Sequence, residues 1–69
     1  MNKLIFVTDG NELELVKKID RDERGKRLPE VIYEYRYVKS ETKINMTIKF
    51  TEEQILKLLK NETIKKIEL

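Results

Sequence analysis

Alternation with a period of two constrains this chain more than any other feature. In "VIYEYRYV", Val31, Tyr33, Tyr35 and Tyr37 fall on one side and Ile32, Glu34, Arg36 and Val38 on the other. "KINMTIKF" repeats the device, with Ile44, Met46, Ile48 and Phe50 against Lys43, Asn45, Thr47 and Lys49. Side chains alternate in this way along a β-strand and not along a helix, so both stretches are expected to be half-buried strands. "SET" (Ser40 to Thr42) joins them, and their apolar sides are expected on one face of an antiparallel sheet. A slip of one residue in register would reverse that assignment.

The N-terminal half adds two more strands. "KLIFVT" (Lys3 to Thr8) is apolar and β-branched and stops at the turn dipeptide Asp9-Gly10. "NELELVKKI" (Asn11 to Ile19) alternates, with Leu13, Leu15 and Ile19 on one face and Lys17 among them, while Val16 shares the other face with Glu12, Glu14 and Lys18. In "DERG", Asp22 suits the first position of a type I turn and Gly25 the left-handed position after it, the composition of a hairpin closed by a glycine bulge. That turn would set Arg21 near Lys26 and Ile19 near Leu28. Pro29 has no N–H for a ladder and marks a bulge or an unpaired edge at the base of the tip.

One helix is expected, in "TEEQILKLLKN". Thr51 and Gln54 form a capping box, Glu52 and Glu53 suit the positive end of the helix dipole, and Lys57 and Lys60 suit the negative end. Ile55, Leu56, Leu58 and Leu59 make its apolar stripe, and Asn61 is the expected left-handed cap. "TIKKIEL" can close the chain as a strand using Ile67 and Leu69 or extend the helix with Ile64 and Ile67; the strand is favoured. The fold class is therefore α+β: a small antiparallel sheet of four to five strands with one helix in the C-terminal half, in the order β-β-β-β-α-β, as a single domain over residues 1–69.

Composition narrows the chemistry. The 69 residues contain no histidine and no cysteine. The usual base near neutral pH, the thiol nucleophile and the common ligands of zinc, copper, haem and iron–sulfur clusters are thus missing, and no disulfide can supplement the core. Carboxylate chemistry through Asp9, Glu12 and Glu14 is left, but glutamates on a strand face are ordinarily solvated. The two glycines do not form a phosphate-binding loop, and "TDGNELE" lacks the spacing of a calcium loop. The expectations are no enzyme, no cofactor, no metal and no small-molecule substrate. The apolar run LIFV is too short for a membrane span or a signal peptide, so no membrane association is expected and the cytoplasm is the default location.

The candidate binding residues lie together in "RDERGKRLPEVIYEYRYV". Tyr33, Tyr35 and Tyr37 can supply rings on which bases stack, and Arg21, Arg24, Lys26, Arg27 and Arg36 can neutralise phosphates. Asp20, Asp22 and Glu23 oppose this, and the competing reading has the tyrosines covering a small core with hydroxyls at its wet edge. A third reading makes the tyrosine stripe a protein interface, since Tyr and Arg are enriched at such sites.

The run from an antiparallel sheet into "FTEEQILKLLK" is similar to the end of the positive-cofactor-type transcriptional coactivators. That resemblance implies a curved sheet binding single strands and a helix that makes a dimer. It covers only the last strand and the helix, Thr51 to Gln54 are what any capping box uses, and the expected strand beyond the helix departs from the pattern, so no family is assigned.

The functional expectation is a small non-enzymatic module that binds a protein partner or a second copy of itself, through the tyrosine face or the charged ribbon. The alternative is a single-stranded nucleic-acid-binding protein using the same residues.

Overall fold

The computed structural model of the protein describes residues 3–67. It is an α+β fold in the order β1 (Lys3–Phe6), β2 (Glu12–Arg21), β3 (Arg27–Lys39), β4 (Thr47–Thr51), α1 (Glu52–Lys60) and β5 (Ile64–Ile67). The strands form one antiparallel sheet in the order β4-β3-β2-β1-β5. The helix therefore carries the chain from one edge of the sheet to the other. The closing segment is a strand, as favoured from sequence, pairing Ile64 with Phe6 and Ile67 with Lys3; the expected contribution of Leu69 lies outside the described residues.

Turn chemistry sets the hairpins. Gly10 (φ 74°) and Gly25 (φ 82°) take the left-handed positions that only glycine occupies without strain. At the second, Gly25 N–H donates to Asp22 O (3.0 Å) and Asp22 N–H to Lys26 O (2.8 Å), closing the expected bulged turn. The ribbon behind it is not the regular one expected. Arg21 pairs with Arg27, and Ile19 pairs with Ile32 rather than lying near Leu28. Leu28 to Val31 stand against Asp20 alone, a surplus of three residues, so Pro29 sits in a bulge where its missing N–H costs no ladder bond.

The third turn differs more. Instead of "SET" alone, the chain turns from Ser40 to Met46. Lys43 N–H donates to Ser40 Oγ, Met46 N–H to Lys43 O, and Asn45 takes a left-handed φ of 67°. Ile44 and Met46, expected on the apolar face, are 51 % and 56 % exposed. Asparagine tolerates that conformation better than most residues, and the local hydrogen bonds outweigh alternation at the start of β4.

The helix forms for the reasons read from sequence. Gln54 N–H donates to Thr51 Oγ1 (3.2 Å), and Thr51 N–H donates to Gln54 Oε1 (2.9 Å). At the other end the left-handed residue is Glu62 (φ 59°) and not Asn61. Glu62 N–H donates to Leu59 O and Thr63 N–H to Leu58 O, the pairing of a Schellman cap one residue later than expected.

The core lies between the helix and one sheet face. Leu4, Leu13, Tyr35, Tyr37, Phe50, Ile55 and Ile64 are buried, with Phe6, Leu15, Tyr33, Ile48, Leu58 and Leu59 packed around them. The helix thus covers the tyrosine face. The sheet has its other face open.

Candidate binding face

Tyrosine is the first candidate to locate. Tyr35 and Tyr37 are 5 % and 6 % exposed. Tyr35 meets Phe50 edge-on at 6.0 Å, and Tyr37 stacks on Phe6 at 6.4 Å. Burial, with Tyr33 beside it, raises the Tyr35 phenol above its ordinary pKa. Tyr33 is half-buried, and Lys18 Nζ lies 5.7 Å from its ring centre. The rings are core side chains, so a site that needs Tyr35 and Tyr37 exposed has no place here. All five aromatic residues lie on the helix side of the sheet, and the open face carries none.

The predicted cations divide into two groups. Arg21, Arg24, Lys26 and Arg27 stand exposed at the ribbon tip. There Asp22 is tied into the turn, accepting from the Arg24 and Lys26 N–H groups at 2.9 Å, and Arg21 Nη1 donates to Gly25 O. Asp20, Glu23 and Glu30 also lie at this end. From Asp20 to Glu30 four cations meet four carboxylates, which leaves the tip no net charge. Arg36 is elsewhere, on the open face.

That face is ordered by a bulge. Leu15 pairs with Tyr35 and Lys17 with Glu34, so Val16 is the extra residue in β2. Strict alternation would have put Lys17 under the helix with Leu13 and Leu15. The bulge moves Lys17 and Ile19 to the open face and brings Lys18 to the Tyr33 side. A smaller irregularity at Val38 places Lys39 opposite Glu12, with Nζ 3.5 Å from Glu12 Oε2.

The registers then assemble three charged rows across the open face. The first reads Lys3, Glu14, Arg36; the second Lys17, Glu34, Lys49; the third Lys65, Ile5, Glu12, Lys39. Each row holds one carboxylate and two cations, adjacent to it on both sides in the first two rows and, in the third, adjacent at Lys39 and one strand further off at Lys65, beyond Ile5. The Glu12 and Glu34 side chains are only 24 % and 16 % exposed, while those of Lys39 and Lys49 are 72 % and 61 % exposed. Carboxylates lie low on the sheet and cations stand above them. Ile19 and Ile32 pair in a fourth, apolar row next to the charges.

Six cations against three carboxylates leave this face a surplus of three positive charges. The whole chain carries +2, so the remainder is net −1. Sequence reasoning found Arg36 and missed Lys3, Lys17, Lys39, Lys49 and Lys65. The available signal was Lys17 among leucines, a charge that no regular strand would place in a core.

Among the described residues no helix is long and apolar enough to cross a membrane, and no group of three acidic side chains comes together to hold a metal ion. No protein-family model, curated protein or solved structure matches the chain.

Proposed function

We propose that this protein is a non-enzymatic binding module whose open sheet face docks an acidic surface of another protein. The observation that carries the reading is the three rows of the open face: Glu14 and Glu34 each stand between two adjacent cations, and Glu12 has Lys39 beside it and Lys65 beyond Ile5. Glu12 and Glu34 each form an ion pair with one lysine, Lys39 and Lys49, while Glu14, between Lys3 and Arg36, forms one with neither. Among the described residues Lys3, Lys17, Arg36 and Lys65 form no ion pair and are available to a carboxylate from outside.

The pattern favours a protein over a nucleic acid on two grounds. The face has no ring for a base to stack on, and every row interrupts its cations with a carboxylate that repels a continuous phosphate chain. Self-association through this face is also disfavoured, because it sets a surplus of three positive charges against its own copy. Lysine on both edge strands, at Lys49 in β4 and at Lys65 and Lys66 in β5, opposes edge-to-edge pairing of two copies.

Fluorescence anisotropy with two labelled probes tests this, a polyglutamate peptide and a random single-stranded oligonucleotide, at low and at high salt. The peptide is expected to bind at low salt and to lose about tenfold or more in the Lys17→Glu/Arg36→Glu variant. Tighter binding of the oligonucleotide would transfer the face to nucleic acid. Peptide affinity unchanged by the double charge reversal would remove the open face from the function.

A further inference from the structure

The edge of the sheet at β4 carries a second recognition device, which shares Lys49 with the open face but has its own backbone groups and groove. The Tyr37 backbone N–H donates to Met46 O (2.8 Å), and its C=O accepts from Asn45 N–H (2.9 Å), across the gap between β3 and the β4 side. By the alternation of antiparallel bonding, Tyr35 and Tyr33 also bond toward β4, and their partners Ile48 and Phe50 bond inward. Thr47 and Lys49 therefore turn their N–H and C=O groups away from the sheet. Thr51 is in the same phase and confirms it, since its outward N–H is taken by the Gln54 side chain. The residues at Thr47 and Lys49 have no strand beyond them, because β4 ends the sheet.

Directly beside this edge lies a groove of about 350 Å³, lined by Phe50 and Leu58 on its floor and by Lys49, Lys57, Gln54 and Asn61 on its rim. Gln54, Lys57, Leu58 and Asn61 follow the spacing of one helix stripe, so the groove runs between helix and strand. At the β5 edge, Lys66 lines a different cavity with Leu15, Tyr33, Ile55 and Leu59, residues of the helix and of the inner strands β2 and β3.

We propose that β4 accepts an extended acidic peptide as a sixth strand. Its backbone bonds to Thr47 and Lys49, alternate apolar side chains enter the groove over Phe50 and Leu58, and the intervening carboxylates, on the open-face side, meet Lys49, while Lys57 adds positive charge at the groove rim. Strand addition of this kind takes affinity from main-chain bonds and specificity from alternate side-chain pockets. The two lysines select its charge: they repel a second β4 edge and attract a strand that carries carboxylates.

The test uses an end-capped peptide alternating glutamate and valine, followed by amide hydrogen exchange in the full chain. Exchange at Thr47 and Lys49 is expected to slow by about tenfold when free peptide is ten times its Kd. Thr47→Pro, which removes an outward N–H at an edge position where proline is tolerated, and Lys57→Glu on the helix surface are each expected to weaken binding. Lys17→Glu/Arg36→Glu is expected to leave it intact. The proposal is overturned if the peptide does not bind, if it binds without slowing those two amides, or if a lysine–valine peptide binds as well. Slowing absent but binding lost in the Lys17/Arg36 variant would place the peptide on the open face, separating failure of this edge site from failure of the face.

Discussion

Deletion of Val16 is the perturbation that best tests how this sheet is built. A residue removed from the middle of a paired strand ordinarily moves every following side chain to the opposite face. Here it does not, because Val16 is already the extra residue. With it gone, Leu15 still faces Tyr35, Lys17 still faces Glu34 and Lys18 still faces Tyr33, now without interruption. Val16 is 48 % exposed. Full burial of such a side chain is worth about 1.5–3 kcal/mol, so its loss costs on the order of 1 kcal/mol, offset by a more regular ladder. Deleting Glu34 from β3 is the control. It has no bulge to absorb it, and either Tyr33 slips against Phe50 or Tyr35 slips against Ile48, turning an aromatic ring to water. A single core of this size supplies only about 3–5 kcal/mol, and losing the burial of even one ring takes most of that. Urea denaturation followed by far-UV circular dichroism distinguishes the two. The Val16 deletion should shift the midpoint by no more than about 1 M at an m-value near 1 kcal/mol/M, and the Glu34 deletion should be unfolded without urea. Loss of some 3 kcal/mol on deleting Val16 would refute the register argument and show that the bend of the bulged strand is what seats the helix.

Three further outcomes follow from the packing. Leu13, fully buried at the centre of the core, should cost about 2–5 kcal/mol on Leu13→Ala, leaving much of the chain unfolded at 25 °C by circular dichroism. Thr51→Ala removes one half of the capping box and should cost about 1 kcal/mol, read as a fall in Tm of about 4–8 °C. The Tyr35 phenol has its pKa raised by folding, so the folded state holds that proton more tightly than the unfolded chain does. Its contribution is full below the unfolded value and is lost as pH rises through the folded one, so urea midpoints should fall from the ordinary tyrosine range upward, and Tyr35→Phe should reduce that fall.

The parts of the fold legible in the sequence are those fixed by local chemistry. Gly25 after Asp22, the Thr51 and Gln54 pair, and the alternation of Tyr33, Tyr35 and Tyr37 each have one favourable backbone solution, and the structure adopts it. Ile44 and Met46 misled because alternation is a statement about a strand already formed, and it does not say where the strand begins. The bulge at Val16 was written in the sequence as two anomalies, a valine among charges and Lys17 among leucines, but choosing between a bulge and a tolerated exception needs the partner strand. The charged face was illegible for a related reason. Lys3, Glu14 and Arg36 lie far apart in sequence and become a row only through two registers at once.

Those registers also bound how strong the proposed docking can be. The core has one layer, and apolar side chains are concentrated on the helix-covered face, which leaves most of the other face to charged residues. At a separation of about 10 Å in water, two of the surplus cations repel by only about 0.4 kcal/mol, and physiological salt reduces this further, so the fold carries a positive face at little cost. The same dielectric limits the return. Exposed ion pairs formed with a partner contribute about 0–1 kcal/mol each, and three of them cannot hold a complex by themselves. They raise the rate of encounter and fix register, while lasting affinity has to come from apolar area. On this face that area is the Ile19 and Ile32 row together with Ile5 and Ile67. A partner that rests on the charged rows alone will dissociate as salt rises, and one that also covers the isoleucines will not.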